Sequence, residues 1–204
     1  MNIYERQKDL PLKIPESVAV VGAGGVGSWV ALFFALLGTK KIIVIDDDNI
    51  EEHNLNRTPF TTFDVGSLKV DAVANLISER RPDCEVITIS KRIEYIKDEK
   101  TKEEIKNAEV IIDCRDVMQP LPFEHDKIIA LRYDGEEVWI GINPNYKKYW
   151  GEGGGYRTVP SFVAPPVFMA IISLVIVALK EELLNERDKE ISFKLSDFVG
   201  NIFS

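Results

Sequence analysis

Apolar and polar positions fall into short runs that predict alternating strands and helices. Ser17–Val21, Lys41–Ile45, Glu85–Ile89 and Glu109–Cys114 are largely apolar and rich in β-branched residues. Where such a run shows no two-residue alternation, it is the pattern of a strand covered on both faces. Gly25–Leu37 is apolar all round and predicts a helix packed on both sides, with Gly38 as its stop. Asp64 is placed to cap a helix over about Val65–Arg80, closed by Pro82. Asp98–Asn107 reads as a charged, exposed helix. Lys127–Tyr133 and Glu136–Ile142 flank Asp134-Gly135 and predict a hairpin. Val167–Leu184 predicts a core helix and Glu190–Leu195 a last strand, while Met1–Pro15 predicts a polar arm lying on the domain. The order β-α-β-α-β-α-β predicts an α/β fold: a doubly wound, mainly parallel sheet with helices on both faces and a C-terminal antiparallel extension.

Composition narrows the partners. A chain of 204 residues, 45% hydrophobic and 28% charged, can bury one sizeable core. A net charge of −8 and a pI near 4.9 argue against nucleic acid or an anionic membrane surface as the main partner. The longest apolar stretch, residues 162–179, holds Pro165 and Pro166 near its start. Its uninterrupted part, Val167–Leu179, is too short for a bilayer, so no membrane partner is expected. Met1–Leu12 is charged and lacks the apolar core of a signal peptide. Cys84 and Cys114 form no CxxC pair, so no zinc is expected, and two unpatterned thiols suit a reducing cytoplasm.

The candidate chemistry starts at Gly22-Ala23-Gly24-Gly25-Val26-Gly27, between the first strand and helix. Gly22, Gly24 and Gly27 match the G-x-G-x-x-G pattern of a Rossmann-like nucleotide site. The first glycine permits a tight turn, the second lets phosphate approach the backbone, and the third lets helix and sheet pack closely. The helix N-terminus then offers unpaired N–H groups to an anion. Asp46 ends the second strand nineteen residues after Gly27, where a carboxylate can bind ribose hydroxyls. Asp47 and Asp48 follow directly, and three adjacent acids call for a counter-charge or a metal. This much leaves NAD, FAD and ATP open.

The stretch from Asp46-Asp47-Asp48 to Asn54-Leu55-Asn56-Arg57 resembles the ThiF/MoeB/HesA-type adenylyltransferases, whose fold is shared with ubiquitin-activating enzymes. Tyr4-Glu5-Arg6-Gln7, Asp64–Lys69, Ile111–Asp116 and Val163-Ala164-Pro165-Pro166 resemble further segments of that family, in the same order. The resemblance implies one adenylation unit over residues 1–204: an arm (1–15), a nucleotide-binding half (16–118) and a C-terminal half (119–204) with a long loop at 143–160. It implies that ATP lies over Gly22, Gly24, Gly25 and Gly27. A carboxylate, of a ubiquitin-like protein or a peptide, would attack the α-phosphate and release pyrophosphate. It places Asp46 and Asp48 at the nucleotide, and Asn54, Arg57 and Lys69 on its phosphates. Asp116 would serve Mg²⁺, and Arg6 would reach the phosphates of a partner subunit, which implies a homodimer. The residue types suit the task, because a carboxylate attacking a polyphosphate needs charge neutralised and groups aligned.

The chain departs from its relatives in three ways. The two CxxC zinc pairs of many relatives are missing, and the loop at 143–160 has no cysteine to take the acyl group as a thioester. Arg115 also stands where a small polar residue is usual, as an extra cation that could meet phosphate or acceptor. Cys84 and Cys114 read as small buried hydrophobes, and His53 and His125 as surface and connector residues. The aromatic, glycine-rich run Tyr146, Tyr149, Trp150, Gly151, Gly153, Gly154, Gly155 and Tyr156 reads as a cover for nucleotide or protein tail, or as a connector. Two other functions compete with adenylation. A NAD-dependent oxidoreductase explains the glycine turn and Asp46 but leaves Arg6, Asn54, Arg57 and Lys69 idle. A non-catalytic nucleotide-binding partner subunit would tend to lack those phosphate-handling residues.

Overall fold

A computed structural model describes residues 3–146 and 161–202. Seven strands form one sheet in the order β3-β2-β1-β4-β5-β6-β7. The strands are β1 Ser17–Val21, β2 Lys41–Ile45, β3 Glu85–Ile89, β4 Val110–Asp113, β5 Ile128–Asp134, β6 Glu137–Ile142 and β7 Lys189–Lys194. β3 to β5 are joined in parallel, and β6 and β7 add antiparallel. The α/β class, the mainly parallel sheet and the antiparallel extension stand as the sequence predicts.

Alternate side chains of each strand enter two cores. Val18, Val20, Ile42, Val44 and Ile112 meet α1 (Gly25–Leu37), α2 (Lys69–Ser78) and α4 (Ala164–Leu179) on one face. Ala19, Val21, Ile43, Ile45 and Ile111 meet Ile105 of α3 (Glu99–Lys106) on the other, with Ile93 and Leu121. α1 packs against α4, with Val30, Ala31, Phe34 and Ala35 fully buried. Gly38 ends α1 at φ 125°, donating its N–H to Phe34 and Ala35. The arm lies against this end: Gln7 Nε2 donates to the Leu37 carbonyl at 2.8 Å, and the Tyr4 ring packs on Gly38. Arg81, almost fully buried, stacks on Tyr4 and donates to the Ala35 carbonyl.

Several boundaries differ from the expected ones. α2 starts at Lys69 instead of Val65, because Gly66 has φ 89° and cannot continue a right-handed helix. Asp64 accepts from Thr61 N and Oγ1 instead of capping α2. α4 starts ahead of Pro165 and Pro166, since the first helical turn has no N–H bonds to lose. It ends at Leu179, before a 3-10 turn over Glu181–Asn185. The hairpin turn is Gly135-Glu136, one residue on. A fifth helix, α5 (Leu195–Ile202), was not expected; Gly200 and Asn201 make its propensity weak, and Phe198 anchors it on Phe193 and Phe168. Among the described residues, no helix is long and apolar enough to cross a membrane.

The second and third glycines of the G-x-G-x-x-G turn should respond differently to alanine. A Cβ at Gly27 would stand 1.7 Å from the Gly22 carbonyl oxygen, whereas one at Gly24 meets nothing within 4 Å. That contrast holds among the described residues. Gly27→Ala should cost about 3 kcal/mol and lower Tm by roughly 10 °C. Gly24→Ala should stay within about 3 °C of the parent protein by calorimetry. Equal Tm values for the two variants would contradict this packing.

Candidate nucleotide site at the β1–β4 crevice

The order β3-β2-β1-β4 reverses the winding at β1, and the chains leaving β1 and β4 diverge there into a crevice. Gly22 N donates to Ile45 O and Cys114 N to Val21 O, each at 2.7 Å, so the ends of β1, β2 and β4 are cinched together. Gly22 has φ 93°, and a Cβ there would lie 3.0 Å from the Cys114 carbonyl. Gly24 is the N-cap of α1; among the described residues no side chain caps it, and none comes within 4 Å of where a Cβ would stand. The first N–H groups of α1 are therefore available to an anion.

Asp46 clasps this turn. Its Oδ2 accepts from Ala23 N at 2.6 Å and its Oδ1 from Asp48 N at 2.8 Å. Burial raises its pKa, opposed by Lys69 and the two amide bonds. The carboxylates of Asp46, Asp47 and Asp48 lie within 4.8 Å of one another. Counter-charges meet the need seen in the sequence: Lys69 Nζ is 2.7 Å from Asp48, and Arg92 Nε is 3.3 Å from Asp47. Lys69 is brought there by a local bridge, since Leu68 pairs with Asn49 and Lys69 N donates to Asp48 O. Its side chain is only 11% exposed.

Asn54 and Arg57 sit on the next loop. Asn54 is buried, and its Oδ1 accepts from Glu51 N at 3.1 Å, which closes the 3-10 turn Glu52–Asn54. Arg57 runs its aliphatic stem past Gly25, donates Nη1 to the carbonyl of His53 and to Asn56 Oδ1, and receives Trp29 Nε1 on its own carbonyl. The Tyr133 hydroxyl also lies over Gly25 and bonds Ser161 Oγ at 2.8 Å, while Asn56 Nδ2 holds the Ser161 carbonyl. Tyr133 and Ser161 carry no sequence signal, because a tyrosine in an apolar strand and a serine after a loop look like packing.

At the end of β4, Asp113 is fully buried and accepts from Arg115, Arg132 and Tyr146. Arg115 is thus engaged with Asp113, Glu94 and the Gln119 carbonyl, not open to a phosphate. Asp116 is exposed, and no described residue bonds its carboxylate. Cys114 has its thiol pKa pushed up by burial and by the Asp113 charge, and burial also raises that of Cys84. His53 pairs with Glu51 at the surface, and both ring nitrogens of His125 bond backbone atoms. Tyr149, Trp150, Gly151, Gly153, Gly154, Gly155 and Tyr156 lie outside the described residues. The structure thus gathers Gly22, Gly24, Gly25, Gly27, Asp46, Asp48, Arg57 and Lys69 around one crevice, with Asn54 supporting and Asp116 at its β4 side. Arg6 is not among them: its arm lies at the far end of α1, about 20 Å from Gly24 along the helix.

Comparison with known proteins bears on the family and the fold. The family model described as "ThiF family" matches residues 6–121, more than half of the chain. Ubiquitin-like modifier-activating enzyme 5 of Drosophila ananassae is 41% identical over 91 residues, 43% of this chain and 22% of that protein. The sulfur carrier protein ThiS adenylyltransferase of Escherichia coli (strain K12) is 29% identical over 106 residues, 52% of this chain and 41% of that protein. Among solved structures, E. coli MccB with MccA-N7isoASN superposes with a TM-score of 0.68 at 19% identity, covering 89% of this chain and 62% of MccB. E. coli MccB with ATP gives 0.65 at 20%, covering 95% and 63%. Each match spans less than two thirds of the relative's own length, and the structural likeness is one of fold.

Asp113 should dominate acid sensitivity. Burial alone would raise its pKa, but Arg132 and Arg115 outweigh burial and hold it below the ordinary carboxylate value. Its contribution is present above the unfolded pKa of about 4 and lost as pH falls through the lower folded value. Asp46, with a raised pKa, acts in the opposite sense. Asp113→Asn should cost about 3 kcal/mol or more at neutral pH and flatten the fall in stability below about pH 5. Urea titrations at stepped pH measure both; an unchanged acid limb would remove Asp113 from that role.

Proposed function

The chain belongs to the ThiF family, and on that premise we propose that it is an ATP- and Mg²⁺-dependent adenylyltransferase. It would activate a carboxylate, the C-terminus of a ubiquitin-like protein or a peptide, as an acyl-adenylate with release of pyrophosphate. The carrying observation is the uncapped N-terminus of α1, left open at Gly24 by the described residues and flanked by Arg57 and by the nearly buried Lys69. The relatives support it: one is named an adenylyltransferase of a sulfur carrier protein, one an activating enzyme of a ubiquitin-like modifier, and MccB is seen with ATP.

The side chains divide the work. The opening at Gly24 lets phosphate meet the helix amides, and Gly25 brings Arg57 alongside. Asp46, already fixed by Ala23 N, keeps lone pairs for ribose hydroxyls. Lys69 carries Asp48 as counter-ion until phosphate oxygens compete for it. Asn54 holds the turn with its Oδ1 and offers its amide nitrogen. Together these cations offset the repulsion between an attacking carboxylate and the α-phosphate. When bound, Mg²⁺ would spread phosphate charge, and the exposed carboxylate of Asp116, unpartnered among the described residues, suits a hard cation that keeps most of its waters. The thiols of the buried Cys84 and the half-buried Cys114 have raised pKa values, which makes them poor nucleophiles. The acyl-adenylate would therefore pass to an external nucleophile without an internal thioester, and no zinc takes part.

A homodimer completes the site in this reading. Arg6 stands at the wrong end of α1 for its own glycine turn, so it would act on a partner's nucleotide. Ile171, Val175 and Leu179 on one face of α4 are exposed and apolar, as a second copy would require. Residues 1–204 would form one adenylation unit. The net charge of −8 favours neither nucleic acid nor membrane as partner. Two unpaired thiols fit a cytoplasmic setting.

ATP–pyrophosphate exchange with a C-terminal carboxylate substrate tests the reaction. Arg57→Ala should lower exchange about a hundredfold with little change in Tm, and Gly24→Ala should weaken ATP binding. Full exchange in Arg57→Ala would sink the phosphate role. Mixing Arg6→Ala and Arg57→Ala subunits should restore about a quarter of the parent rate, since only mixed dimers hold one intact site. No recovery would mean that Arg6 does not act across subunits.

A further inference from the structure

Asp116 has no side-chain partner among the described residues, so its place is set by the backbone on either side. Both neighbours are pinned. Arg115 lays Nε and Nη2 on the two carboxylate oxygens of Asp113, at 2.9 Å each, and donates Nη2 to the Gln119 carbonyl at 2.7 Å. Arg132, on β5, donates Nη1 to the Asp113 carbonyl at 2.6 Å and Nη2 to Asp113 Oδ2 at 2.9 Å. Its Nε and Nη2 reach the Val117 carbonyl at 3.1 and 2.8 Å. Arg132 is 5% exposed, and its hydrogen bonds among the described residues go to Asp113, Val117 and the Leu131 carbonyl.

We propose that Arg132 is a positioning residue for the Mg²⁺-bound nucleotide, acting by clamping the loop on both sides of Asp116. Its planar fork serves three acceptors of the loop at once: the carbonyl before the loop, the carboxylate of Asp113, and the carbonyl after Asp116. A lysine ammonium is one point and cannot span them. Held this way, Asp116 meets the cation without first paying the entropy of ordering its loop. This inference rests on the reading of the crevice as a Mg²⁺–ATP site.

Calorimetric titration of the full chain with ATP, at stepped Mg²⁺ concentrations, tests it. Arg132→Lys keeps the charge beside Asp113 and loses the fork. It should raise the Mg²⁺ concentration for half-maximal tightening of ATP binding about tenfold, the usual cost of losing an outer partner of a metal ligand. ATP affinity without Mg²⁺ should be unchanged. Arg132→Gln serves the same purpose if the lysine variant does not fold. Tyr146→Phe is the control: it removes a 2.9 Å bond to the same Asp113 oxygen but touches neither neighbour of Asp116. It should lower Tm and leave the Mg²⁺ midpoint in place. In an Asp116→Asn background, Arg132→Lys should add no further shift. A parent-like midpoint in the Arg132 variants, or an equal shift in Tyr146→Phe, overturns the positioning role. A parent chain that binds ATP tightly but indifferently to Mg²⁺ also overturns it. A parent chain that does not bind ATP overturns the functional reading itself.

Discussion

The structure hangs on a backbone-to-backbone approach: the glycine turn leaving β1 is pressed against the end of β4. Gly22 lies so near the Cys114 carbonyl, and at so positive a φ, that only glycine fits without strain. Gly27 lets α1 come down over the same turn, with no room for a Cβ. Because β1 lies between β2 and β4, this contact brings three strand ends to one place. Asp46 from β2 and Asp113 from β4 are the polar consequences. One clasps the turn from above, and the other anchors the loop beyond it.

The two carboxylates illustrate two ways of using a buried charge. Asp113 is matched by two arginines and a tyrosine, a network whose value lies in geometry more than in net stability. Asp46 is left with amide donors and a neighbouring lysine, so part of its capacity is still unspent. The Asp47–Arg92 pair at the surface is worth little by comparison, since solvent screens it. It relieves a row of three acids without fixing anything else. Lys69 stands between these cases: it is nearly buried, and its one carboxylate partner is more than half exposed. Such a cation is held in place yet can change partner.

Much of this was legible in the chain. Runs of β-branched residues fixed the parallel strands, because a strand covered on both faces has no polar positions to show. The glycine spacing located the turn, since backbone approach leaves a mark only glycine can make. The order of short motifs identified the family. The start of α2 was missed because Gly66 and the Asn49–Leu68 bridge override a good helical pattern. The start of α4 was misjudged because prolines that break a helix interior are harmless in its first turn. α5 was missed because its stability comes from a three-phenylalanine contact with α4 and β7.

The sequence by itself determined the fold class, the glycine turn and the acidic and basic residues gathered around it, because each is a local demand on residue type. Tertiary structure alone decided which charges are already taken. Arg115 resembles a free cation in the sequence and is bound to Asp113, Glu94 and Gln119; Arg132 carries no sequence signal and bonds the backbone on both sides of Asp116. Arg6 is put far from the glycine turn of its own chain by the length of α1. Pairing between residues far apart in the chain leaves no periodicity and no motif, so only the folded distances reveal it.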